Sequence, residues 1–188
     1  MNIALIGMAG SGKDTLYEHA SKKYGYTRYA FADKVKEVAK KYYPDLYGEI
    51  TEKNRWLLQK VATMFREIDA DVWIKAMFKV MDRVSKIRSG YGEMQENIVI
   101  TDCRMPNEYE ALKNRGYIFI RIDVDEEICK QRLLDRGDIF NNKDMKHHTE
   151  SFYDTFNCDY TIENNGTLQE MYRSFDDVME LIMQKGEI

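Results

Sequence analysis

At 188 residues, 44% hydrophobic and 12% aromatic, the chain is long enough to bury the core of one domain and too short for two large ones. Its 28 lysines and arginines against 32 acids leave a formal charge of -4, with no dense basic run. That excludes a nucleic-acid or membrane-surface binder and points to a small-molecule partner.

Cys103, Cys129 and Cys158 form no CxxC pair and fit free, core-filling thiols in a reducing compartment. No apolar run reaches the length of a membrane span, and a glycine turn begins at Gly7, leaving no room ahead of it for a signal peptide. A soluble, cytoplasmic protein is expected.

Asn2 to Ile6 is a short apolar run ending in glycine, which predicts a strand, and Lys13 to Lys23 carries Leu16, His19 and Ala20 at helical spacing. Tyr26 to Phe31 predicts a brief second strand. In Asp33 to Tyr43, Val35, Val38 and Ala39 share one helical face before Pro44 stops it. Helices are expected at Glu52 to Glu67 and Val72 to Ile87, parted by Asp69-Ala70-Asp71, where either aspartate can cap the second.

Beyond a glycine-containing turn, Ile98, Val99 and Ile100 are consecutively apolar, as in a parallel strand covered on both faces, and that strand ends at Asp102. A helix over 106–114, a strand over 117–122, a helix from Glu126 to Asp135, a strand over 159–163 and a helix from Thr167 to Gln184 complete the alternation. The pattern predicts an α/β fold with a parallel sheet and no internal repeat. Gly137 to Thr149, polar and carrying His147 and His148, is the expected mobile piece.

Gly7, four residues, then Gly12 and Lys13 form GxxxxGK between a predicted strand and a predicted helix. Glycines there let successive amides turn inward, and the helix N-terminus adds free amides and the positive end of its dipole. Phosphate oxygens suit such a cradle, with Lys13 neutralising charge on the outer phosphates. Position 14 holds aspartate instead of serine or threonine, while Thr15 supplies a hydroxyl one residue on. Asp14 facing a triphosphate at ~4 Å would cost roughly 4 kcal/mol at an effective dielectric near 20, so either a metal intervenes or the carboxylate points elsewhere, favoured by the helix dipole.

Asp102 falls at the carboxyl end of a strand, where ligands of open α/β sheets bind, and Arg104 and Glu108 follow in the same turn. Asp102 suits holding magnesium through water or orienting an acceptor; a solvated turn before a helix at Pro106 is the plainer alternative. Arg132 and Arg136, four apart before a polar loop, suit a lid closing on phosphate, against the plainer reading of surface pairs with Asp135 or Glu127.

Arg55, Gln59 and Arg66 share one helical face, a stripe that suits base and phosphate contacts equally with solvent. Trp73 reads from spacing as core before base stacking, and Phe31 likewise. His147, His148 and Glu150 have no third ligand at helical spacing and make no zinc site.

The blocks GMAGSGKDT, FADKVKE, LLQKVATMFREIDADVW, ITDCRMPNEYEALKNRG, HHTES and DYTIENNGTL, in this order over nearly the whole chain, resemble the phage-type deoxynucleoside monophosphate kinases. The resemblance implies a three-layer α/β/α P-loop kinase with a five-stranded parallel sheet, a helical monophosphate-binding insert over about 32–90 and a short lid over about 132–149. The core would comprise 1–31, 97–136 and 150–188. It also implies ATP with Mg2+ as donor and a deoxynucleoside monophosphate as acceptor, and it suggests a homodimer.

By position, Gly10, Ser11, Gly12, Lys13, Asp14 and Thr15 would bind the ATP phosphates, and Asn164, Gly166 and Thr167 would border adenine. Asp33, Lys34, Arg55, Gln59, Arg66 and Trp73 would line the acceptor site, completed by Asp102, Arg104 and Glu108. Arg132 and Arg136 match lid arginines; Lys34 stands where many relatives carry proline.

The implied reaction is in-line transfer of the γ-phosphoryl group with no covalent intermediate. Lys13, Arg132 and Arg136 would carry developing charge, while Asp102 and Asp14 approach the metal through water. A dephospho-coenzyme A kinase is similar in the loop and final strand but not in the LLQ, R and W block. A non-catalytic nucleotide sensor is the remaining alternative, and NNKD at 141–144 has the wrong spacing for a GTPase guanine reader. Which bases are accepted is not written in the sequence.

Overall fold

The computed structural model describes residues 1–47, 55–136 and 152–186. The chain divides into two compact units, one comprising Met1–Arg28 with Asn97–Ile188 and the other Tyr29–Glu96.

The first unit is built on a five-stranded parallel sheet in the order β2-β3-β1-β4-β5. Its strands are β1 (Asn2–Ile6), β2 (Tyr26–Tyr29), β3 (Asn97–Ile100), β4 (Ile118–Asp123) and β5 (Tyr160–Glu163). β1 lies between β3 and β4, with Ile3 opposite Val99 on one side and Ile118 on the other. β4 in turn pairs β5, Ile122 opposite Ile162. Ile3 to Ile6 are fully buried, which is why β1 reads as an unbroken apolar run without alternation.

Helices α1 (Lys13–Tyr24), α6 (Pro106–Lys113), α7 (Glu126–Asp135) and α8 (Leu168–Gly186) complete this unit. Leu16 and Ala20 of α1, Cys129 of α7, and Met171 and Phe175 of α8 join Leu5, Ile120 and Ile162 in one core. Burial of each large side chain contributes roughly 1.5–3 kcal/mol. A second link joins α1 to α8: Asp176 accepts from Tyr24 at 2.8 Å, pairs with His19 at 2.8 Å and meets Lys23 at 2.8 Å, with His19 stacked on Tyr172.

Among the described residues the second unit carries α2 (Phe31–Tyr42), α3 (Pro44–Tyr47), α4 (Arg55–Ile68) and α5 (Val72–Gly90). α2 packs against both α4 and α5, and Phe31, Val35, Ala39, Leu57, Val61, Trp73 and Met77 are buried. Between α4 and α5, Asp69 accepts the Asp71 amide at 3.1 Å and binds Lys75, so it organises the turn although Asp71 is the residue at the helix cap.

Several boundaries depart from the sequence expectation: β3 ends at Ile100, short of Asp102, and α5 runs on past Ile87 to Gly90. β2 stops at Tyr29 because Phe31 already opens α2 with its side chain in the core. Pro44 ends α2 as expected but also starts α3, since proline at a first helical position loses no hydrogen bond.

Candidate active site

The loop between β1 and α1 is packed too closely for side chains at its glycines. Gly10 has φ 84°, and a Cβ there would lie 2.7 Å from the Cys129 carbonyl oxygen. Gly12 has φ 96°, and a Cβ there would lie 2.8 Å from Asn164 Nδ2. Both angles fall in the left-handed region that glycine adopts without steric cost, so the two glycines are required by angle and by space. The Ser11 amide donates to Met8 O at 3.2 Å and closes the turn, with Ser11 itself buried.

At the end of this loop the half-buried Lys13 folds back, its ammonium donating to the carbonyls of Gly7 at 2.7 Å and Met8 at 2.6 Å. Desolvation, and then the charge of Arg104, push its pKa down from 10.5 to about 7, against opposing pulls from Asp14, Cys129 and Asp102. Removal from water penalises the charged form, and a second cation adds to that penalty. Thus Lys13, Asp14, Asp102 and Arg104 form one electrostatic group, with a cation held below its ordinary range where phosphate charge would restore it.

Arg104 and Asp102 reach this group from the turn after β3. Arg28 donates to Thr101 Oγ1 at 3.2 Å just before Asp102. The buried carboxylate of Glu108 accepts the amides of Arg104 at 2.9 Å and Met105 at 3.0 Å, the reach-back of a helix N-terminus. The sequence expectation places Glu108 against the acceptor; the structure shows it holding the turn that carries Arg104.

The turn after β5 closes the loop from the other side. Buried Asn164 donates from Nδ2 to Ser11 O at 2.9 Å, and its own carbonyl accepts from Arg132 Nη2 at 3.0 Å. Arg132 Nη1 is also buried and has no hydrogen-bond partner among the described residues. Arg136 caps α7 and is exposed, its amide donating to Arg132 O at 3.3 Å. Thr167 is tied into the start of α8, where its amide and hydroxyl both donate to Glu170 at 2.7 and 2.8 Å. The Thr167 amide holds the Glu170 pKa below its usual value. Gly166 sits beneath that same carboxylate.

Asp14 is exposed in the first turn of α1, and Thr15 is half-buried beside it. No cluster of three or more His, Cys, Asp or Glu side chains stands ready for a metal among the described residues. The carboxylates of Asp14 and Asp102 both act on Lys13, and Ser11 Oγ lies 3.3 Å from its ammonium, so hard oxygen groups of the kind Mg2+ takes are present here.

In the second unit Asp33 pairs with Lys36 at 3.2 Å, and Lys34 pairs with Glu37. Gln59 is exposed on α4 and Arg66 is half-buried in its last turn. Arg55 opens α4, and its side chain lies outside the described set. Trp73 is 3% exposed, its indole donating to Ala62 O at 3.1 Å with Phe65 packed 5.2 Å away. The core reading that spacing favours is the one observed, and the indole presents no open face for a base. Residues 137–151, with His147 and His148, lie outside the described residues.

Cys129 is the participant for which the sequence suggests only plain core filling. Its carbonyl and Cα bound Gly10, and both Lys13 and Arg132 act on its thiol. Nothing in the spacing of Cys129 announces this, because the contact joins segments far apart in the chain.

Fold and loop together define an α/β protein with a P-loop between its first strand and first helix. The chain belongs to the AAA domain family AAA_18, whose profile matches residues 3–151. It is 27% identical over 169 residues to "Uncharacterized protein ORF77" of Ictalurid herpesvirus 1 (strain Auburn), a match covering 88% of this chain and 64% of that protein's length. It is also 27% identical over 140 residues to "Putative deoxynucleotide monophosphate kinase" of Acanthamoeba polyphaga mimivirus, covering 64% of this chain and 72% of that one. Among solved structures, shikimate kinase from Aquifex aeolicus superposes with TM-score 0.56 at 19% identity, covering 98% of this chain and 99% of that one, a likeness of fold. No helix among the described residues is long and apolar enough to cross a membrane.

Proposed function

We propose that this chain transfers the γ-phosphoryl group of ATP to the phosphate of a deoxynucleoside monophosphate. The observation carrying the reading is the group made by Lys13, Asp102 and Arg104: a loop lysine lowered to about 7 beside a strand-end carboxylate and a second cation. That is donor-phosphate chemistry next to groups able to hold an anionic acceptor. The name of the mimivirus relative and the motif blocks shared with phage-type deoxynucleoside monophosphate kinases support the choice of acceptor.

In this reading the loop amides from Gly10 to Thr15 hold the β- and γ-phosphates, and Lys13, Arg132 and Arg136 take up charge that shifts during transfer. An acceptor phosphate is already anionic near neutral pH, so no strong general base is needed; Asp102 orients the acceptor. Asp14 and Asp102 would hold Mg2+ through water, and the ion when bound would supply charge neutralisation. Arg104 bears on the acceptor phosphate, and the resemblance to phage-type kinases assigns acceptor contacts to Asp33, Lys34, Arg55, Gln59 and Arg66 as well. Asn164, Gly166 and Thr167 border the nucleotide from the turn after β5.

Incubation with ATP, Mg2+ and separate deoxynucleoside monophosphates, with dephospho-coenzyme A, shikimate and gluconate as controls, tests this by following ADP. ADP formed with one or more of the monophosphates is expected. Release only with dephospho-coenzyme A moves the protein to that reaction. No acceptor-dependent ADP, despite ATP binding, makes it a nucleotide sensor.

A further inference from the structure

Asn164 is placed to do something other than border adenine. It lies 153 residues from Ser11, yet its buried carboxamide donates to the Ser11 carbonyl at 2.9 Å, while its backbone amide is anchored on Asp123 O at 2.8 Å. The Ser11 carbonyl and the Gly12 N–H belong to one planar trans peptide, so a grip on that oxygen fixes the N–H in the opposite direction, away from Asn164. Gly12 closes the contact sterically, since a Cβ there would stand 2.8 Å from Asn164 Nδ2. The carbonyl of Asn164 receives Arg132 Nη2 at 3.0 Å, and the other terminal nitrogen of that guanidinium is the buried donor without a partner among the described residues. One residue therefore sets both the orientation of a loop amide and the placement of a cation awaiting an anion.

We propose that Asn164 is a positioning residue for the phosphates of ATP, acting through the Ser11–Gly12 peptide, and not a contact for the base. The proposal rests on the ATP-binding half of the function proposed above and is independent of the acceptor. A carboxamide that orients a donor affects any ligand carrying the phosphate chain, whereas an adenine contact affects only adenine compounds.

The test displaces a fluorescent ATP analogue with ATP and, separately, with inorganic triphosphate, from the wild-type protein, Asn164→Ala and Asn164→Ser. Loss of one orienting hydrogen bond is expected to weaken ATP and triphosphate alike, each about tenfold for Asn164→Ala. Asn164→Ser, which keeps a shorter donor, falls between that variant and the wild type. Weakening of ATP alone reverts Asn164 to an adenine contact and overturns the proposal. Unchanged affinity for both ligands also overturns it. Unfolding of both Asn164→Ala and Asn164→Ser under conditions where the wild type is folded would assign the clasp to stability alone and overturn the proposal as well. Because no acceptor is present, an error in its identity leaves every outcome readable.

Discussion

Arg104 bears on Lys13: after desolvation, its guanidinium is the main influence lowering the lysine toward about 7. Between about 7 and the ordinary value of 10.5, the unfolded chain binds a proton at Lys13 that the folded chain does not, so this group makes stability rise with pH across that window. Below it both states are charged and the penalty is fully present. Chemical denaturation of the wild type and Lys13→Met should therefore show the variant's relative stability greatest near pH ~7 and declining toward pH ~10. Phosphate binding reverses the lysine shift, so at pH about 8.5, where ATP is fully ionised, binding takes up protons. Calorimetry in buffers of different ionisation heat reads that uptake, and its persistence in Lys13→Met would assign it elsewhere.

Position 14 holds an aspartate where loops of this kind carry serine or threonine, and Thr15 follows it. Asp14 is exposed in the first turn of α1, where a carboxylate is favoured by the helix dipole at about 0.3–1 kcal/mol. The expected result for Asp14→Asn is a stability loss of that size and, since Asp14 is one of the two carboxylates proposed for the metal, a several-fold rise in the magnesium needed for half-maximal rate. Thr15→Val should leave the magnesium curve in place. An unshifted curve in Asp14→Asn would remove the aspartate from the metal and leave it only the helix start.

Glu108 offers a cleaner separation of positioning from binding. Its Oε2 accepts two amides in a buried setting, so Glu108→Ala leaves those donors unsatisfied at a cost of about 1–3 kcal/mol in thermal or denaturant stability. Glu108→Gln keeps an acceptor oxygen of the same reach and is expected to retain most of both stability and turnover. A Glu108→Gln variant that folds normally but loses acceptor affinity would mean that the charge itself meets the substrate.

The strand, loop and helix from β1 to α1 are legible in the sequence because each signal is local: an apolar run, glycines at fixed spacing, a lysine at the helix start. Asp102 is legible as the acid that follows an apolar run, although β3 itself ends two residues earlier at Ile100. Periodicity places Glu108 in the right element but not its side chain, because the direction a group faces depends on what packs against it, whereas for Trp73 spacing favours the core and the ring lies there. The Asn164 clasp and the seat of Gly10 on Cys129 join segments more than a hundred residues apart, and no spacing rule carries such a contact. Thr167 and Glu170 are the opposite case, three residues apart, and their reciprocal bonds at the start of α8 are a local helix cap.

Trp73 gives the sharpest test of which unit-two residues serve the acceptor. The resemblance to phage-type kinases puts it in the acceptor site, whereas the structure buries the ring and ties its nitrogen to Ala62 O at 3.1 Å. Trp73→Phe keeps most of the apolar volume and leaves the Ala62 carbonyl without that donor, which is expected to cost about 1–2 kcal/mol. Trp73→Ala opens a cavity under α4 and α5 and should cost about 3–5 kcal/mol. If Trp73 is core, Trp73→Phe leaves the KM for the acceptor within twofold of the wild type, while Arg66→Ala raises it at least tenfold with little change in unfolding midpoint. Equal increases in acceptor KM for the two variants would place the indole on the substrate after all, and steady-state kinetics beside urea unfolding distinguishes the outcomes in one set of proteins.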